Sequence, residues 1–344
     1  MIAFAVSYAW NPGKNACSQT CEISDPAVCD NNSNPILISQ WQAAGKKVLL
    51  SFGGSGMGTN SEIDVNDCWE YCYGRETQVI DRLVEIVNNL GLDGIDIDFE
   101  YHVTDEAAKF LNEVTVGLKN ALPEGSLVTH VPMDADTAPG LPYYDKVLKV
   151  SGSALDFLMP QYYNGYTRPA IDGIDGTGEG MRISALSHYK DIVDGIYGGD
   201  STRVVFGFCI SDCLASGSNA NGAKASTLMT DLAKTYPCNG GAFFWVALHD
   251  TGGSWSSSVS STIKSLASSG CSSEPPSKSP SISSPSAFEG LSPISVPEVS
   301  PSVTIDTPQP VAPPSIPSVA SGSNSRMPFY IPFYLCVAFL LVIV

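Results

Sequence analysis

Apolar runs of strand length recur along the first 250 residues, at 2–8, 47–54, 94–100, 127–132, 157–163, 204–209 and 242–246. Between them lie stretches with apolar residues at helical spacing. Val79, Ile80, Leu83, Val84, Ile86, Val87 and Leu90 form the clearest stripe, one face of a helix with 3.6 residues per turn. Leu37, Ile38 and Trp41 begin another, and further stripes fall within 107–121, 143–150, 183–196, 223–236 and 259–267. Near-continuous apolar strands alternating with helices predict a parallel sheet covered by helices. The size and the repeated unit predict an α/β fold, a (β/α)8 TIM barrel. Seven strands and seven helices are counted where closure needs eight of each. One reading is that a first β/α unit, with a signal peptide ahead of it, is missing from this chain: the opening residues Met1 to Val6 carry no basic segment and no cleavage site. The other is a strand within 11–34, but that segment is rich in Cys, Asn and Pro and reads as a loop.

Composition divides the chain into three parts. Residues 1–271 carry the strand and helix pattern and are expected to be the catalytic barrel. Residues 272–325 include 29 Ser or Pro among 54, too little apolar surface to offset the entropy of ordering. They predict an extended stalk of the kind that carries O-linked sugars, or a plain linker. Residues 326–344 end in eighteen uncharged residues preceded by small ones at 320–325. This pattern predicts either a lipid-anchor (GPI) signal or a retained tail anchor, tethering the barrel to a membrane. Eighteen basic against 35 acidic side chains give a formal charge of −17, which repels phosphate and argues against nucleic acid as partner.

The chemistry concentrates on Asp93-Gly94-Ile95-Asp96-Ile97-Asp98-Phe99-Glu100. Residues two apart in a strand share a face, so Asp96, Asp98 and Glu100 point one way and Ile95, Ile97 and Phe99 the other. Three carboxylates facing a barrel interior are unfavourable unless they share protons or use the charge. Glu100 falls at the C-terminal end of its strand, where barrel enzymes keep their reacting groups. Asp93 is out of phase with the three and is expected to be structural, capping the turn into the strand.

This run resembles the DGxDxDxE signature of family 18 glycoside hydrolases, the chitinases and their relatives. Lys47 to Gly54 resembles the family's SxGG strand, with Ser51, Gly53 and Gly54 in the motif positions. Met159-Pro160-Gln161-Tyr162-Tyr163-Asn164 resembles its sixth strand, and Gly241-Ala242-Phe243-Phe244-Trp245-Val246 its last. The resemblance spans residues 1 to about 250 and makes the 2–8 run the family's second strand. It implies retaining hydrolysis in which the substrate's own N-acetyl oxygen attacks the anomeric carbon. Glu100 would be the acid and then the base. Asp98 would hold the acetamido N–H, Asp96 would share a proton with Asp98, and Tyr163 would donate to the acetamido oxygen. Trp245 would stack under the sugar, with Gln161, Asn164, Ser51, Gly53, Gly54, Met159 and Phe243 completing the binding site. The implied substrate is chitin or another GlcNAc-containing glycan, with no metal and no organic cofactor.

Nine cysteines, at 17, 21, 29, 68, 72, 209, 213, 238 and 271, precede the tail residue Cys336. They are expected to form disulfides of undetermined connectivity, leaving one over, in an oxidising compartment. Asn31-Asn32-Ser33 is a candidate N-glycosylation site. Two other functions share the acidic strand: an endo-β-N-acetylglucosaminidase acting on glycoprotein glycans, and a chitin-binding lectin that has lost catalysis. Glu100 favours an enzyme, and the Gln161–Asn164 run favours the chitinases. A chain short of one strand could also be a non-folding fragment.

Overall fold

The computed structural model describes residues 1–271, apart from 12–13, 29–32, 59–67, 102, 138–143, 179–182 and 214–215, together with 340–342. Contacts divide the chain into one unit of residues 1–272 with 333–344 and a second of residues 273–332. The stalk expected at 272–325, the sequon residues Asn31 and Asn32, Cys29, and the expected anchor at 326–344 other than 340–342 lie outside the described residues.

Each predicted apolar run supplies a strand. They are β1 (Ile2–Ala5), β4 (Leu49–Gly53), β5 (Gly94–Asp98), β6 (Leu127–His130), β7 (Phe157–Leu158), β8 (Phe206–Cys209) and β9 (Ala242–Trp245). The first five form a parallel sheet in the order β1-β4-β5-β6-β7, and β8 pairs in parallel with β9. Single parallel bridges, Leu158 to Val204 and Gln161 to Gly207, join the two sheets. Seven strands therefore follow one another in chain order with one direction, as a β/α barrel requires.

All seven strands are shorter than the runs that predict them, those of the 2–8, 47–54 and 157–163 runs by three residues or more. The 2–8 run ends at Ala5 after a register shift between Ala3 and Ala5. Its continuation, β2 (Tyr8–Ala9), turns away to pair antiparallel with β3 (Ala16–Cys17), so the strand inside the 11–34 loop belongs to a small hairpin and not to the barrel. The 157–163 run pairs continuously only at Phe157–Leu158, because Pro160 has no N–H to donate and the ladder thins to the bridges at Gln161. At the free edge of β9, β10 (Leu340–Val342) pairs antiparallel.

The helices α1 (Pro35–Ala43), α2 (Glu76–Leu90), α3 (Asp105–Ala121), α4 (Asp145–Ser151), α5 (Pro169–Asp172), α6 (Ala185–Tyr197), α7 (Gly222–Thr235) and α8 (Ser254–Gly270) lie between the strands in sequence. The stripe read from α2 is the buried one: Val79, Leu83, Ile86 and Val87 are all inaccessible. It stops at Gly91, whose left-handed conformation closes the last turn. Thr104, Ser184 and Asn221 cap α3, α6 and α7 by accepting a bond from a first-turn backbone N–H. None of the helices among the described residues is long and apolar enough to cross a membrane.

The strands partition two cores by their alternation. Ile95, Ile97, Phe99, Leu158 and Tyr162 join the larger one, against the helices. Val131, Phe157, Met159, Tyr163, Val205, Cys209, Cys213 and Phe243 form a smaller inner one. Two buried histidines are wired into the outer layer. His130 bridges Tyr144 Oη (2.8 Å) and Thr115 Oγ1 (2.9 Å), and His188 bridges Tyr162 Oη (2.9 Å) and Thr137 Oγ1 (2.9 Å). Burial drives the His130 pKa down to about 3 and that of His188 to about 4, so both are neutral. Disulfides join Cys17 to Cys68, Cys21 to Cys72, Cys209 to Cys213 and Cys238 to Cys271.

Candidate active site

The three carboxyl groups of the acidic strand stand at increasing height in the barrel. Asp96 is 0% exposed, Asp98 2%, and Glu100, just past the end of β5, is partly open to solvent. Asp96 is held from both neighbouring strands at its own level. Ser51 Oγ donates to Oδ2 at 2.8 Å and Thr129 Oγ1 donates to Oδ1 at 2.7 Å. The register explains the set: Ser51 on β4 and Thr129 on β6 are the direct partners of Asp96. Burial raises the Asp96 pKa to about 7, with the two hydroxyls pulling it back.

Asp98 and Glu100 form the upper pair. Burial raises both, the negative charge of Glu100 and Asp96 raises Asp98 further, and a hydrogen bond joins the two carboxyl groups. Two neighbouring buried carboxyls cannot both ionise cheaply, so the charge of one raises the cost of ionising the other. Both Asp96 oxygens accept a hydroxyl, one from Ser51 and one from Thr129, and the Asp96 charge acts on Asp98 from the level below.

Gln161 reaches this pair from across the barrel. Its Nε2 lies 3.1 Å from Asp98 Oδ1, 3.3 Å from Glu100 Oε1 and 3.0 Å from the Val131 carbonyl oxygen. Tyr163, two residues on and on the same face, keeps its phenol proton because burial, then the charges of Asp98, Glu100 and Asp96, push its pKa well above the ordinary value. Above the acids opens a cavity of about 160 Å³ lined by Phe4, Ser55, Asp98, Glu100, Gln161, Tyr163, Asn164 and Trp245. Asn164, in the left-handed conformation, accepts from Ser216 Oγ at 2.6 Å. Trp245 lies nearly parallel to Phe4, with ring centroids 6.0 Å apart.

Of the residues expected at the sugar, Asp98, Glu100, Gln161, Tyr163, Asn164 and Trp245 therefore converge on one opening. Five others do not line it. Ser51 is fully buried, with its hydroxyl spent on Asp96. Met159 and Phe243 lie beneath, the latter edge-on to Tyr163 at 6.3 Å. Gly53 and Gly54 make room for neighbouring protein groups. A Cβ on Gly53 would run into the Asp98 carbonyl and the Trp69 ring, and one on Gly54 would meet the Phe4 ring. Both have positive φ, and the Gly54 N–H donates to the Asp98 carbonyl at 2.8 Å, pinning the acidic strand. Asp93 faces away from the site and accepts from Val48 N (2.9 Å), Gln42 Nε2 (3.0 Å) and Lys47 Nζ (2.8 Å), tying α1, β4 and β5 together.

Sequence reasoning missed Phe4, Ser55 and Thr129. Thr129 left a signal, a lone hydroxyl in the apolar run Leu127-Val128-Thr129-His130-Val131. Phe4 left none, because the register shift in β1 breaks the alternation that would have assigned its face.

No family model matches the sequence, and no curated protein matches it. Solved structures do. A GH18 chitinase from Pseudoalteromonas aurantia is 23% identical with a TM-score of 0.60, over 76% of this chain and 90% of that one. The chain has the GH18 chitinase fold. A putative Chitinase A from Streptomyces coelicolor is 21% identical with a TM-score of 0.51, over 76% of this chain and 88% of that one. The fold is not confined to hydrolases by name: a chitinase-like agglutinin from Robinia pseudoacacia is 14% identical with a TM-score of 0.53, over 76% and 91% of the two chains.

Proposed function

We propose that this chain hydrolyses β-1,4 linkages in chitin or chitooligosaccharides, with retention of configuration and with the substrate's acetamido group as nucleophile. The observation that carries this is the buried Asp98 beside Glu100, both reached by Gln161 Nε2, under a cavity lined by Gln161, Tyr163, Asn164 and Trp245, and we read the two acids as sharing one proton. The barrel alone would not carry it, since an agglutinin has the same fold. The acids supply what hydrolysis needs and sugar binding does not.

The proposed reaction runs in two steps. A sugar resting on Trp245 places its acetamido N–H on Asp98, which favours Asp98 as the carboxylate and sends the shared proton to Glu100. Glu100 then protonates the glycosidic oxygen as that bond breaks. The acetamido oxygen, held by the Tyr163 hydroxyl, bonds to the anomeric carbon and forms an oxazolinium ion, whose positive charge Asp98 offsets. Glu100, now the carboxylate, takes a proton from water as the water attacks the same carbon. The second inversion restores the β configuration, returns the proton to Glu100 and frees the acetamido group.

This mechanism requires a 2-acetamido arm, so plain glucans are not expected as substrates. Four disulfides among the described residues support an extracellular setting. The test is proton NMR of the products released from GlcNAc tetramer or pentamer. The β anomer is expected first; an initial α anomer, or no cleavage, overturns the proposal.

A further inference from the structure

The Trp245 indole is not merely packed into place. Its Nε1 donates to Asp212 Oδ2 at 3.1 Å. The other oxygen of the same carboxylate, Oδ1, lies 2.6 Å from His249 Nε2. Asp212 thus sits between the tryptophan at the end of β9 and a histidine four residues beyond it, while belonging to the loop after β8.

That loop is built to hold a side chain still. The Cys209–Cys213 disulfide closes it across a separation of four residues. Asn219 braces both neighbours of Asp212, accepting from the Cys213 N–H at 2.9 Å and donating to the Ser211 carbonyl at 2.9 Å. Ser218 N and Ala220 N bond back to the carbonyls of Cys213 and Cys209. On the other side, a short turn at Ala247–His249 carries the histidine, its N–H bonded to the Val246 carbonyl at 3.0 Å. Asp250 next to it is committed to the first turn of α8, accepting from Trp255 N (2.7 Å) and Ser256 N (3.2 Å).

We infer that Asp212 is a positioning residue for the sugar platform: it fixes the plane of the Trp245 ring and makes its face more electron-rich. The inference rests on the proposed glycosidase reading and adds the device that sets affinity at that site. The physical argument has two parts. An acceptor on Nε1, with Phe4 beside the ring, removes the χ2 freedom that an aromatic platform must otherwise lose on binding. A negative acceptor on the indole N–H also pushes charge into the π system, and the C–H edges of a pyranose, like a cation, are drawn to a negative ring face. Asp212 and His249 are 40% and 35% exposed, so their contact adds little stability and geometry carries the effect.

The experiment compares wild type, Asp212→Ala and Asp212→Asn by GlcNAc-oligomer hydrolysis, by calorimetric binding of the oligomer and by the Nε1–H signal of Trp245 in NMR. Asp212→Ala is expected to raise KM and Kd about tenfold while kcat changes less than about threefold, and to move the Nε1–H signal upfield. Asp212→Asn keeps an acceptor without the charge and is expected to recover most of the affinity, with an intermediate signal. A merely structural role would lower thermal stability and active fraction without this split or this rescue. Unchanged Kd in Asp212→Ala, or an Asn variant as weak as the Ala one, overturns the inference. A wild type that neither binds nor cleaves the oligomer overturns the glycosidase reading and this one together.

Discussion

Gln161 Nε2 donates to Asp98 Oδ1 across the barrel, over 3.1 Å and 63 residues of sequence, and the same nitrogen is 3.3 Å from Glu100. A donor shared by two acids stabilises their charged forms and lowers both pKa values. Replacing it with an apolar side chain of similar size should therefore move both titrations upward. Gln161→Met is expected to shift both limbs of the kcat/KM profile to higher pH and to reduce the maximum about tenfold to a hundredfold. A pH-rate series on a soluble GlcNAc trimer substrate reads both effects.

Glu100→Gln removes the transferable proton and leaves the shape of the site intact. Turnover should fall at least about a thousandfold, as for loss of a group that serves as both acid and base. Oligomer binding should remain within a few-fold of wild type. Turnover that survives in Glu100→Gln would move the acid role to another residue and refute the assignment.

Asp96 carries a stability cost that its neutral counterpart avoids. Its pKa stands at about 7 in the folded chain, above the ordinary carboxylate value of 3.8, so the folded state holds the proton more tightly. A group raised in this way favours folding at low pH and opposes it as pH climbs through the interval between the two values. Asp96→Asn should stabilise the protein by about 1–3 kcal/mol at pH 8 and by much less at pH 4, where the folded Asp96 is already protonated and avoids the cost of a buried charge. Activity should fall at least about tenfold, because Asp98 loses the charge below it. Urea unfolding at the two pH values separates these outcomes.

The histidine relays act with the opposite sign. His130 and His188 are held neutral, with pKa values of about 3 and about 4 against an ordinary 6.5. Their contribution is fully present above pH 6.5. It is lost as pH falls toward those lower values, because the unfolded chain takes up protons that the folded one refuses. Each histidine should contribute a slope of about 1.4 kcal/mol per pH unit in that window. His188→Gln, which keeps hydrogen-bonding atoms for Tyr162 and Thr137, should lose stability at pH 7 and show a shallower decline toward pH 4. Denaturant midpoints measured across pH 4–7 in both proteins check it.

Much of this was legible because a barrel strand writes its two faces in alternating letters. Period two on 94–100 separated Asp96, Asp98 and Glu100 from Ile95, Ile97 and Phe99, and 161–163 gave Gln161 and Tyr163 the same way. The alternation assigns a face but not a height along the barrel. That is why Met159 and Phe243 were placed at the sugar, whereas they fill the layer below it. Ser51 is expected at the site from its motif position, yet its level is that of Asp96. Phe4 was lost to a register shift. Asp212 had no pattern to betray it, since its position depends on a disulfide loop and on a tryptophan 33 residues further along. Pro160 shortened a strand that its apolar letters would have continued.

The bridges at Gln161 have one more implication. Its backbone is bridged to Met133 on one flank and to Gly207 on the other, at the place where the five-stranded and three-stranded sheets are stitched by isolated links. The residue that grips both acids is therefore also a rivet in the barrel wall. Filling the cavity should tighten that rivet, so that a tightly held inhibitor slows amide exchange at Gly207 and Gln161 well before it slows exchange in the surrounding helices.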